Sequence, residues 1–334
     1  MRMTYPDIHM AYMCVDTLPL ELFYFSGIKL TKIKGDGAVS YNSKSFFPSY
    51  MCSYAMSCLD IIIREEEKYD CFIFSDRCHA MITLYEYIRE YLPHKKTIMI
   101  SVPRTESVYS KEYYQNEVLR LNRFLKMEFG FNISGDKIKK NYLEVKKLID
   151  SRNDILNHIA EKSLPLTSEI LKILEEFPGI HIKDRNSLDS LEKEVVNSTN
   201  NKHNEPELFL CGMHVTPLDI IDVIHDYGGK VVLFDNLESI GIDHFDSDKD
   251  AEFELTNWNS GLLKGFGWKL EKYKIKGLIF STIKFCPIQS YRIMLLTEMA
   301  KNKKIPFLVL NDSFSNKCTA QIHTRIQAFI ECLE

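Results

Sequence analysis

Nine cysteines are the residues of this sequence best suited to chemistry. Their number is odd, and the first fifteen residues lack the uninterrupted apolar core of a secretory signal, so we expect reduced thiols rather than disulfides. Such thiols serve as packing residues, metal ligands or nucleophiles. No Cys-x-x-Cys pair is present to indicate a zinc ribbon or a ferredoxin-type site.

Three of the cysteines are predicted to lie where a loop leads into a helix. Cys78 and Cys286 each follow a short apolar run and precede a helical pattern, and Cys52 falls in the first turn of a helix predicted over Ser49–Glu66. The partial positive charge of a helix N-terminus stabilises a thiolate and offsets the negative charge of a thiolate-ligated metal centre. These positions favour metal ligands, although a lone cysteine is more often a packing residue.

The other cysteines fit packing better than ligation. Cys58 lies six residues after Cys52, so on one helix the two side chains point about 240° apart and do not share a metal. The remaining five are predicted to be packing residues: Cys14, Cys71, Cys211, Cys318 and Cys332.

The elements that position the cysteines predict an α/β fold of two Rossmann-like (βα) domains with parallel sheets, joined by a helical region. Short apolar runs alternate with helical patterns from residue 8 to 130, where a helix is also predicted from about Leu18 to Ser26, and again after residue 207. The periodicity is helical from about 113 to 196, and the stretch Asn197–Pro206 has no apolar residue, as a linker would. We expect an N-terminal α/β domain with the first two candidate ligands over residues 1–130, a helical connector and linker over 131–200, and a C-terminal α/β domain with the third over 201–334.

Charge and hydropathy exclude two classes of partner. The 334 residues contain 42 Lys plus Arg against 46 Asp plus Glu, which gives a net charge of −4 and no general attraction to nucleic acid. No stretch reaches the roughly 18 consecutive apolar residues that a membrane span requires. We expect a cytoplasmic protein that binds neither nucleic acid nor membrane.

Five segments, in order along the chain, resemble the D-component family that comprises subunits of 2-hydroxyacyl-CoA dehydratases and benzoyl-CoA reductases. Each fragment is short, and the ordered set with its similar gaps is what makes the resemblance specific. The segments are the run from Pro19 to Gly27, Pro48-Ser-Tyr-Met-Cys52-Ser-Tyr-Ala, Ser75-Asp-Arg-Cys78-His, Lys284-Phe-Cys286-Pro, and the C-terminal Thr324-Arg-Ile-Gln-Ala-Phe329.

The resemblance implies a [4Fe–4S] cluster held by Cys52, Cys78 and Cys286, with one iron open to water, a sulfur ligand or a substrate carbonyl. In the family, a low-potential electron enters a thioester, and the resulting ketyl radical loses hydroxide or, in the reductases, an aromatic ring is reduced. The implied partners are a second D-type subunit in a homo- or heterodimer, an ATP-dependent activator protein with its own iron–sulfur cluster, and an acyl-CoA substrate. This chain has no P-loop pattern, so ATP would belong to the activator. The expected enzyme is a dehydratase-like lyase or a reductase of anaerobic metabolism.

Several alternatives stay open at this point. His79 and Arg325 are weak catalytic candidates, because an isolated histidine is more often a surface residue and an arginine on a terminal helix is as often structural. Asp243 stands where the family usually has an arginine, which reverses the local charge that would suit an anionic acyl-CoA. A stand-alone reductase of the double-cubane type, acting on small non-CoA molecules, would need Cys58 or Cys211 as extra ligands. A third hypothesis is a cluster-free binding or assembly homologue.

Overall fold

Short, buried parallel strands form the centre of each half of the chain. A computed structural model describes residues 8–13, 18–24, 26–37, 41–48, 50–103, 107–176, 182–199, 205–212, 217, 219–235 and 260–333. The described residues form two compact units, the first comprising residues 8–51, 55–147 and 260–261 and the second comprising residues 52–54, 148–235 and 262–333. No helix in these ranges is both long enough and apolar enough to cross a bilayer.

The first unit is built on a four-stranded parallel sheet. Its strands pair in the order β2-β1-β3-β4, and the register of β3 with β4 runs from Cys71 opposite Lys96 to Ser75 opposite Ile100. All five residues of β3 are buried, as expected for a strand that is covered on both faces. From the N-terminus to α5 the elements are β1 (His9–Tyr12), a 3-10 helix (Leu20–Leu22), β2 (Lys29–Lys32), α1 (Tyr41–Phe46), α2 (Ser53–Glu65), a second 3-10 helix (Glu66–Lys68), β3 (Cys71–Ser75), α3 (His79–Tyr91), β4 (Lys96–Ile100), α4 (Val108–Phe129) and α5 (Gly135–Glu161).

The second unit repeats this arrangement of strands. Its sheet is parallel throughout, with the order β6-β5-β7-β8, and Ile283 at the end of one strand pairs with Asp312 at the end of the next. The elements from α6 onward are α6 (Ser168–Glu176), α7 (Ile182–Asn197), β5 (Glu207–Gly212), α8 (Ile220–Asp226), β6 (Lys230–Asp235), α9 (Ser260–Lys272), β7 (Gly277–Ile283), α10 (Pro287–Asn302), β8 (Phe307–Asp312) and α11 (Ala320–Glu331).

The predicted fold class is therefore confirmed: two Rossmann-like βα units with parallel sheets, and a helical region between them along the chain. In each sheet the chain adds its second strand on one side of the first and its third strand on the other side. The direction of winding changes between the first and third strands, β1 and β3 in one unit and β5 and β7 in the other. Open α/β sheets bind ligands at the carboxyl ends of the strands at such a point.

The core of the second unit shows why the strands lie where they do. The rings of Phe209 on β5 and Phe266 on α9 stack with centroids 4.7 Å apart, beside Leu278 and Phe280 of β7. Gly277 opens β7 because a Cβ there would lie 2.9 Å from the Leu333 side chain. The absence of a side chain at this position lets the C-terminal residues approach the sheet closely.

The predicted helix from Leu18 to Ser26 is wrong, since the structure has only a single 3-10 turn over Leu20–Leu22. The side-chain amide of Asn141 on α5 donates to the main-chain carbonyls of Glu21 and Tyr24, at 2.8 and 2.7 Å. These bonds satisfy carbonyls that would otherwise need helical partners, so a contact from a distant element replaces regular helix.

Two other helices differ from the sequence-based expectations. The helix predicted from Ser49 begins at Ser53, after a turn in which the Met51 N–H donates to the Pro48 carbonyl at 2.9 Å. The α9 helix was not predicted, because glycines at positions 261, 265 and 267 interrupt its helical pattern. The glycine at 267 faces Met299 so closely that an added Cβ would lie 3.3 Å from its methyl group.

Candidate functional site

Cys78 lies at the exit of β3, three residues after the last residue of the strand. It directly precedes α3, and its main-chain carbonyl accepts the N–H groups of Met81 and Ile82 at 3.0 and 3.2 Å. Its backbone is extended, and its half-buried side chain makes no capping hydrogen bond. The main chain of Cys78 therefore starts the helix, while the sulfur takes no part in capping it.

The turn before Cys78 is held by an aspartate. The Asp76 N–H donates to the Ile100 carbonyl at 3.1 Å, and Asp76 Oδ1 accepts the Val102 N–H at 3.0 Å. Both bonds connect the exit of β3 to the exit of β4. Arg77, between the aspartate and the cysteine, is 5% exposed, whereas His79 on the other side of Cys78 is exposed to solvent.

Cys286 occupies the corresponding place in the second unit. It lies three residues after the end of β7 and directly before α10, and its carbonyl accepts both the N–H and the hydroxyl of Ser290 at 3.1 Å. Pro287 supplies the first helical residue with a fixed φ. The preceding residue, Phe285, is 62% exposed and has a φ of +64°, a region that non-glycine residues rarely adopt.

Asp312 at the end of β8 binds the residue that follows β7. Its main-chain carbonyl accepts the Lys284 N–H at 2.9 Å, and its Oδ1 lies 3.3 Å from Lys284 Nζ. The carboxylate also accepts the Ser313 N–H at 2.7 Å and the Thr319 hydroxyl at 2.6 Å. Burial opposes ionisation of Asp312, but the hydrogen bonds from Thr319, Ser313 and Lys284 outweigh it and lower the pKa of the carboxyl below its usual value.

The sequence predicted Cys52 in the first turn of a helix, but in the structure it directly precedes Ser53, the first residue of α2. The Cys52 side chain is half-buried. The next residue, Ser53, accepts the Phe314 N–H through its hydroxyl at 2.7 Å, and the ring of Tyr54 meets the Phe314 ring edge to face at 5.1 Å. Ser53 and Tyr54 therefore have packing roles, and the segment that carries Cys52 groups with the second unit.

The three predicted ligands share one local geometry. Cys52, Cys78 and Cys286 each stand immediately before the first residue of a helix, where the partial positive charge of the backbone stabilises a negatively charged sulfur. Thiolates are the usual ligands of iron–sulfur clusters, so the chemistry of this donor set fits such a group. Cys78 belongs to the first unit, and Cys52 and Cys286 belong to the second.

Buried polar atoms accompany the two strand exits. Ser75 Oγ at the end of β3, Thr282 Oγ1 near the end of β7 and Gln289 Oε1 in the first turn of α10 have no hydrogen-bond partner within the described part of the chain. Buried hydroxyl and amide groups are usually satisfied, and an unsatisfied one is costly. Each of these residues lies within four positions of Cys78 or Cys286 along the chain, and a bound group or solvent at the exits would satisfy its polar atom.

Two further cysteines are buried in the strands and have packing roles. The Cys211 thiol, at the end of β5, donates to the Ile279 carbonyl at 3.4 Å. Burial, followed by the nearby Asp235 carboxylate, raises the pKa of Cys211 well above its usual value. Burial likewise raises the pKa of Cys71 on β3. Neutral thiols in a dry core behave as small apolar side chains.

The remaining cysteines also lie away from the helix starts just described. Cys58 on α2 and Cys211 on β5 are fully buried, whereas Cys286 is 8% exposed and Cys52 and Cys78 are half-buried. Neither Cys58 nor Cys211 stands at the start of a helix, which does not favour them as extra ligands. Burial raises the pKa of Cys318, whose main-chain N–H donates to Asp219. Cys332 is exposed, and all eight cysteines in the described ranges are outside disulfides. Cys14 lies outside the described residues.

Two other residues singled out in the sequence differ in whether the structure describes them. Arg325 lies on α11 and is partly exposed, and Asp243 falls outside the described residues. Glu66, Glu67 and His94 place ligand atoms within 4.8 Å of one another, the one such triad in the described ranges, but two of the three are exposed, as acidic groups without a metal commonly are. Sequence reasoning missed Asp312, because its place beside the strand that leads to Cys286 follows from the pairing of β7 with β8, which the sequence pattern does not give.

Comparisons with known proteins identify relatives of the chain. A family model described as 2-hydroxyglutaryl-CoA dehydratase, D-component, matches residues 16–333. A curated protein of Escherichia coli (strain K12), named "Putative dehydratase subunit YjiM", is 22% identical over 299 residues, which cover 80% of this chain and 76% of that protein.

Two solved structures align over most of the chain with low similarity. They are the SBP FpvC from Pseudomonas aeruginosa in complex with Mn2+, at 8% identity and a TM-score of 0.29 over 98% of this chain and 96% of its own, and the periplasmic zinc-binding protein TroA from Treponema pallidum, at 8% identity and a TM-score of 0.23 over 98% of each chain. Similarity at this level does not bear on the fold or the ligand of this chain. The family match covers nearly every residue, and the chain therefore belongs to the 2-hydroxyglutaryl-CoA dehydratase D-component family.

Proposed function

We propose that this chain is the cluster-binding subunit of a cytoplasmic 2-hydroxyacyl-CoA dehydratase-like or benzoyl-CoA reductase-like enzyme. Cys52, Cys78 and Cys286 hold one [4Fe–4S] cluster, and the reaction is the radical dehydration or reduction of an acyl-CoA thioester. The observation that carries the proposal is that Cys78 and Cys286 occupy the same place in two sheets of the same strand order, each at the exit of a strand beside the change in winding.

The protein contributes three cysteine sulfurs, each placed at the positively charged N-terminal end of a helix. When bound, a cluster with three cysteine ligands supplies an iron that polarises a carbonyl oxygen and exchanges single electrons. The N-termini of α2, α3 and α10 contribute a partial positive charge, which favours the charged form of a sulfur that binds a metal. The backbone carbonyls of Cys78 and Cys286 are already engaged in their helices, which fixes the place from which each side chain extends.

The ligand set is tested by iron analysis of single variants under anaerobic conditions. We expect about four irons per wild-type chain, as one [4Fe–4S] cluster requires. Cys52→Ser, Cys78→Ser and Cys286→Ser should each lose the iron and the visible absorption that dithionite bleaches. Cys332→Ser is the matched control, because its side chain is exposed in the last turn of the chain, and it should keep the wild-type iron content. Equal iron in all four variants would refute the assignment.

The reaction class is tested with partners. The proposal expects no turnover by the chain alone, and turnover when a second D-type subunit, an ATP-dependent activator, ATP and a strong reductant are added together. Loss of water from a 2-hydroxyacyl-CoA identifies a lyase, and consumption of a second electron with an aromatic acyl-CoA identifies a reductase. Turnover of a small molecule without CoA, in the absence of an activator, would contradict the proposal.

A further inference from the structure

A short loop after β8 contacts segments that carry two of the proposed ligands. On one side, Asp312 binds Lys284, two residues before Cys286, through the main-chain bond of 2.9 Å and the side-chain contact of 3.3 Å. On the other side, the Phe314 N–H donates to Ser53, the residue directly after Cys52. All of these residues belong to the second unit. Three consecutive residues, 312 to 314, therefore connect the two cysteine-bearing segments.

The loop is itself held firmly through the Asp312 carboxylate. Three donors converge on it: the Lys284 ammonium, the Ser313 N–H and the Thr319 hydroxyl. Thr319 also caps α11, since its Oγ1 accepts the Ile322 N–H at 3.4 Å. The Asp312 side chain is 17% exposed, so these bonds are only partly weakened by competing water. The carboxylate ties the exit of β7, the exit of β8 and the start of α11 to one point.

The backbone before Cys286 needs such a constraint. Phe285 has a φ of +64° and an exposed side chain, so neither a glycine nor burial of its ring explains the conformation. Non-glycine residues hold this conformation when the surrounding structure determines it. Only Lys284 and Phe285 separate β7 from Cys286, and Asp312 binds the first of them. The contact therefore determines where the main chain of Cys286 begins.

We propose that Asp312 is a positioning residue for the cluster ligands. Its carboxylate holds the Cys286 segment directly, and the loop that it orders holds the Cys52 segment through Phe314 and Ser53, so both segments are in place before iron binds. The inference rests on the proposed function for the role of Cys52 and Cys286 as ligands. Ordered supporting bonds of this kind orient metal ligands and reduce the entropy lost when the metal binds.

The test measures thiol reactivity in the iron-free protein, where no activity is needed. Iodoacetamide alkylation, resolved by site with mass spectrometry, should be roughly tenfold faster at Cys286 in Asp312→Asn, because loss of one hydrogen bond to a charged group shifts local opening by about that factor. Cys52 should also react faster, while Cys78 in the first unit and buried Cys211 should keep their wild-type rates. Asp222→Asn, an exposed aspartate of the same unit, is the matched control and should change none of the four.

Two further measurements separate positioning from general destabilisation and from failure of the proposed function. Both variants keep the main-chain bond between Lys284 and Asp312. Lys284→Met removes one of the three donors to the carboxylate, whereas Asp312→Asn removes the charge that all three donors bind, so Lys284→Met should raise the Cys286 rate selectively and by less. Reconstituted Asp312→Asn should lose iron to a chelator faster than wild type. A parallel rise at Cys211, or an unchanged rate at Cys286, would overturn the inference. Suppose that the wild-type protein takes up no iron while Asp312→Asn still alkylates selectively faster at Cys286. That result would refute the proposed function and retain the role of Asp312 in ordering the segment.

Discussion

The exits of β3 and β7 have the same position in their sheets and the same spacing to a cysteine, but different residues hold the two turns. Each strand is the third of its unit, each lies beside the change in winding, and each is followed at an offset of three residues by a cysteine that starts a helix. In the first unit the carboxylate is on the turn itself, where Asp76 binds Val102 beyond the outer strand. In the second unit the carboxylate is on the outer strand, where Asp312 binds Lys284 of the turn.

The difference separates what topology determines from what local sequence determines. The place of the cysteine follows from the strand order, because the carboxyl ends of parallel strands open at one edge of a sheet. The means of holding the turn are local and interchangeable: the residue before the cysteine is buried Arg77 in one unit and exposed Phe285, with positive φ, in the other. Two unlike turns can therefore present the same thiol from the same position.

The largest expected effect tests whether the two exits are functionally equivalent. Cys78→Ala and Cys286→Ala should each reduce the bound iron from about four per chain to nearly none, because a cluster that loses one of three protein ligands is held too weakly to persist. Cys211→Ala, at the end of the neighbouring strand β5, should keep its iron and lose about 1–2 kcal/mol of stability, since it leaves a cavity where a buried thiol packed. Iron analysis and urea unfolding measure both.

Two outcomes would break the comparison. If Cys286→Ala kept its iron while Cys78→Ala lost it, the shared offset would have no functional meaning. If Cys211→Ala lost iron as well, a fourth ligand or a second cluster would have to be assigned to β5.

A second prediction concerns the start rather than the exit of the equivalent strands. β3 begins with a cysteine and β7 with a glycine. The glycine is required at position 277, because a Cβ there would lie 2.9 Å from Leu333 Cδ1 and 3.0 Å from the Phe329 ring. Gly277→Ala should lower the free energy of unfolding by about 1–3 kcal/mol through overpacking. Gly135→Ala, at the start of α5 with no atom within 4 Å of the new Cβ, should not lower it. Equal losses in the two variants would show that the close approach of the C-terminal residues is not what limits residue size at position 277.

Much of this comparison could be predicted from the sequence. The apolar runs before Cys78 and Cys286 predict buried parallel strands, and the rule for strand exits then places both cysteines at the edge where ligands bind. The matching strand orders could not be derived, because periodicity identifies strands without giving their neighbours. The two βα units were therefore predicted, but not the fact that β3 and β7 occupy equivalent positions.

What the sequence missed depends on contacts between distant residues. Asn141 prevents a regular helix near Glu21 through bonds across more than one hundred residues, and local pattern does not reveal such a partner. The role of Asp312 depends on its register opposite Ile283, which is a property of the assembled sheet. The helix α9 was missed for the opposite reason: its glycines allow close packing, whereas local propensity counts them as helix breakers.

A third prediction concerns the residues that precede the two cysteines. Phe285→Gly should raise stability by about 1 kcal/mol or leave it unchanged, because glycine adopts positive φ without strain and the ring removed is exposed. Arg77→Gly, at a buried site whose φ is not positive, should instead lower stability by more than about 1 kcal/mol. Thermal unfolding of the iron-free proteins measures both. Destabilisation of similar size in the two variants would mean that the turns are held alike, contrary to the difference described above.

The smallest expected effect is a dependence on pH that compares the carboxylates at the outer-strand exits. In the first unit, Glu117 accepts the N–H of Ser101, the residue directly after β4, at 2.9 Å and pairs with Arg120 at 2.7 Å. Burial opposes ionisation of Glu117, but these two bonds outweigh burial and lower the pKa of the carboxyl. The pKa of Asp312 is lowered for the same kind of reason. A carboxyl whose pKa is lower in the folded state contributes stability above its unfolded pKa, near 4, and loses that contribution as the pH falls through the lowered value. Urea unfolding of the iron-free protein should therefore show that the free energy of unfolding declines on acidification below about pH 5. Asp312→Asn and Glu117→Gln should each make this decline smaller, by less than about 1 kcal/mol, because solvent screens partly exposed groups. If only Glu117→Gln flattened the curve, the Asp312 carboxylate would not be held by its three donors in solution, and the second exit would depend on main-chain bonds alone.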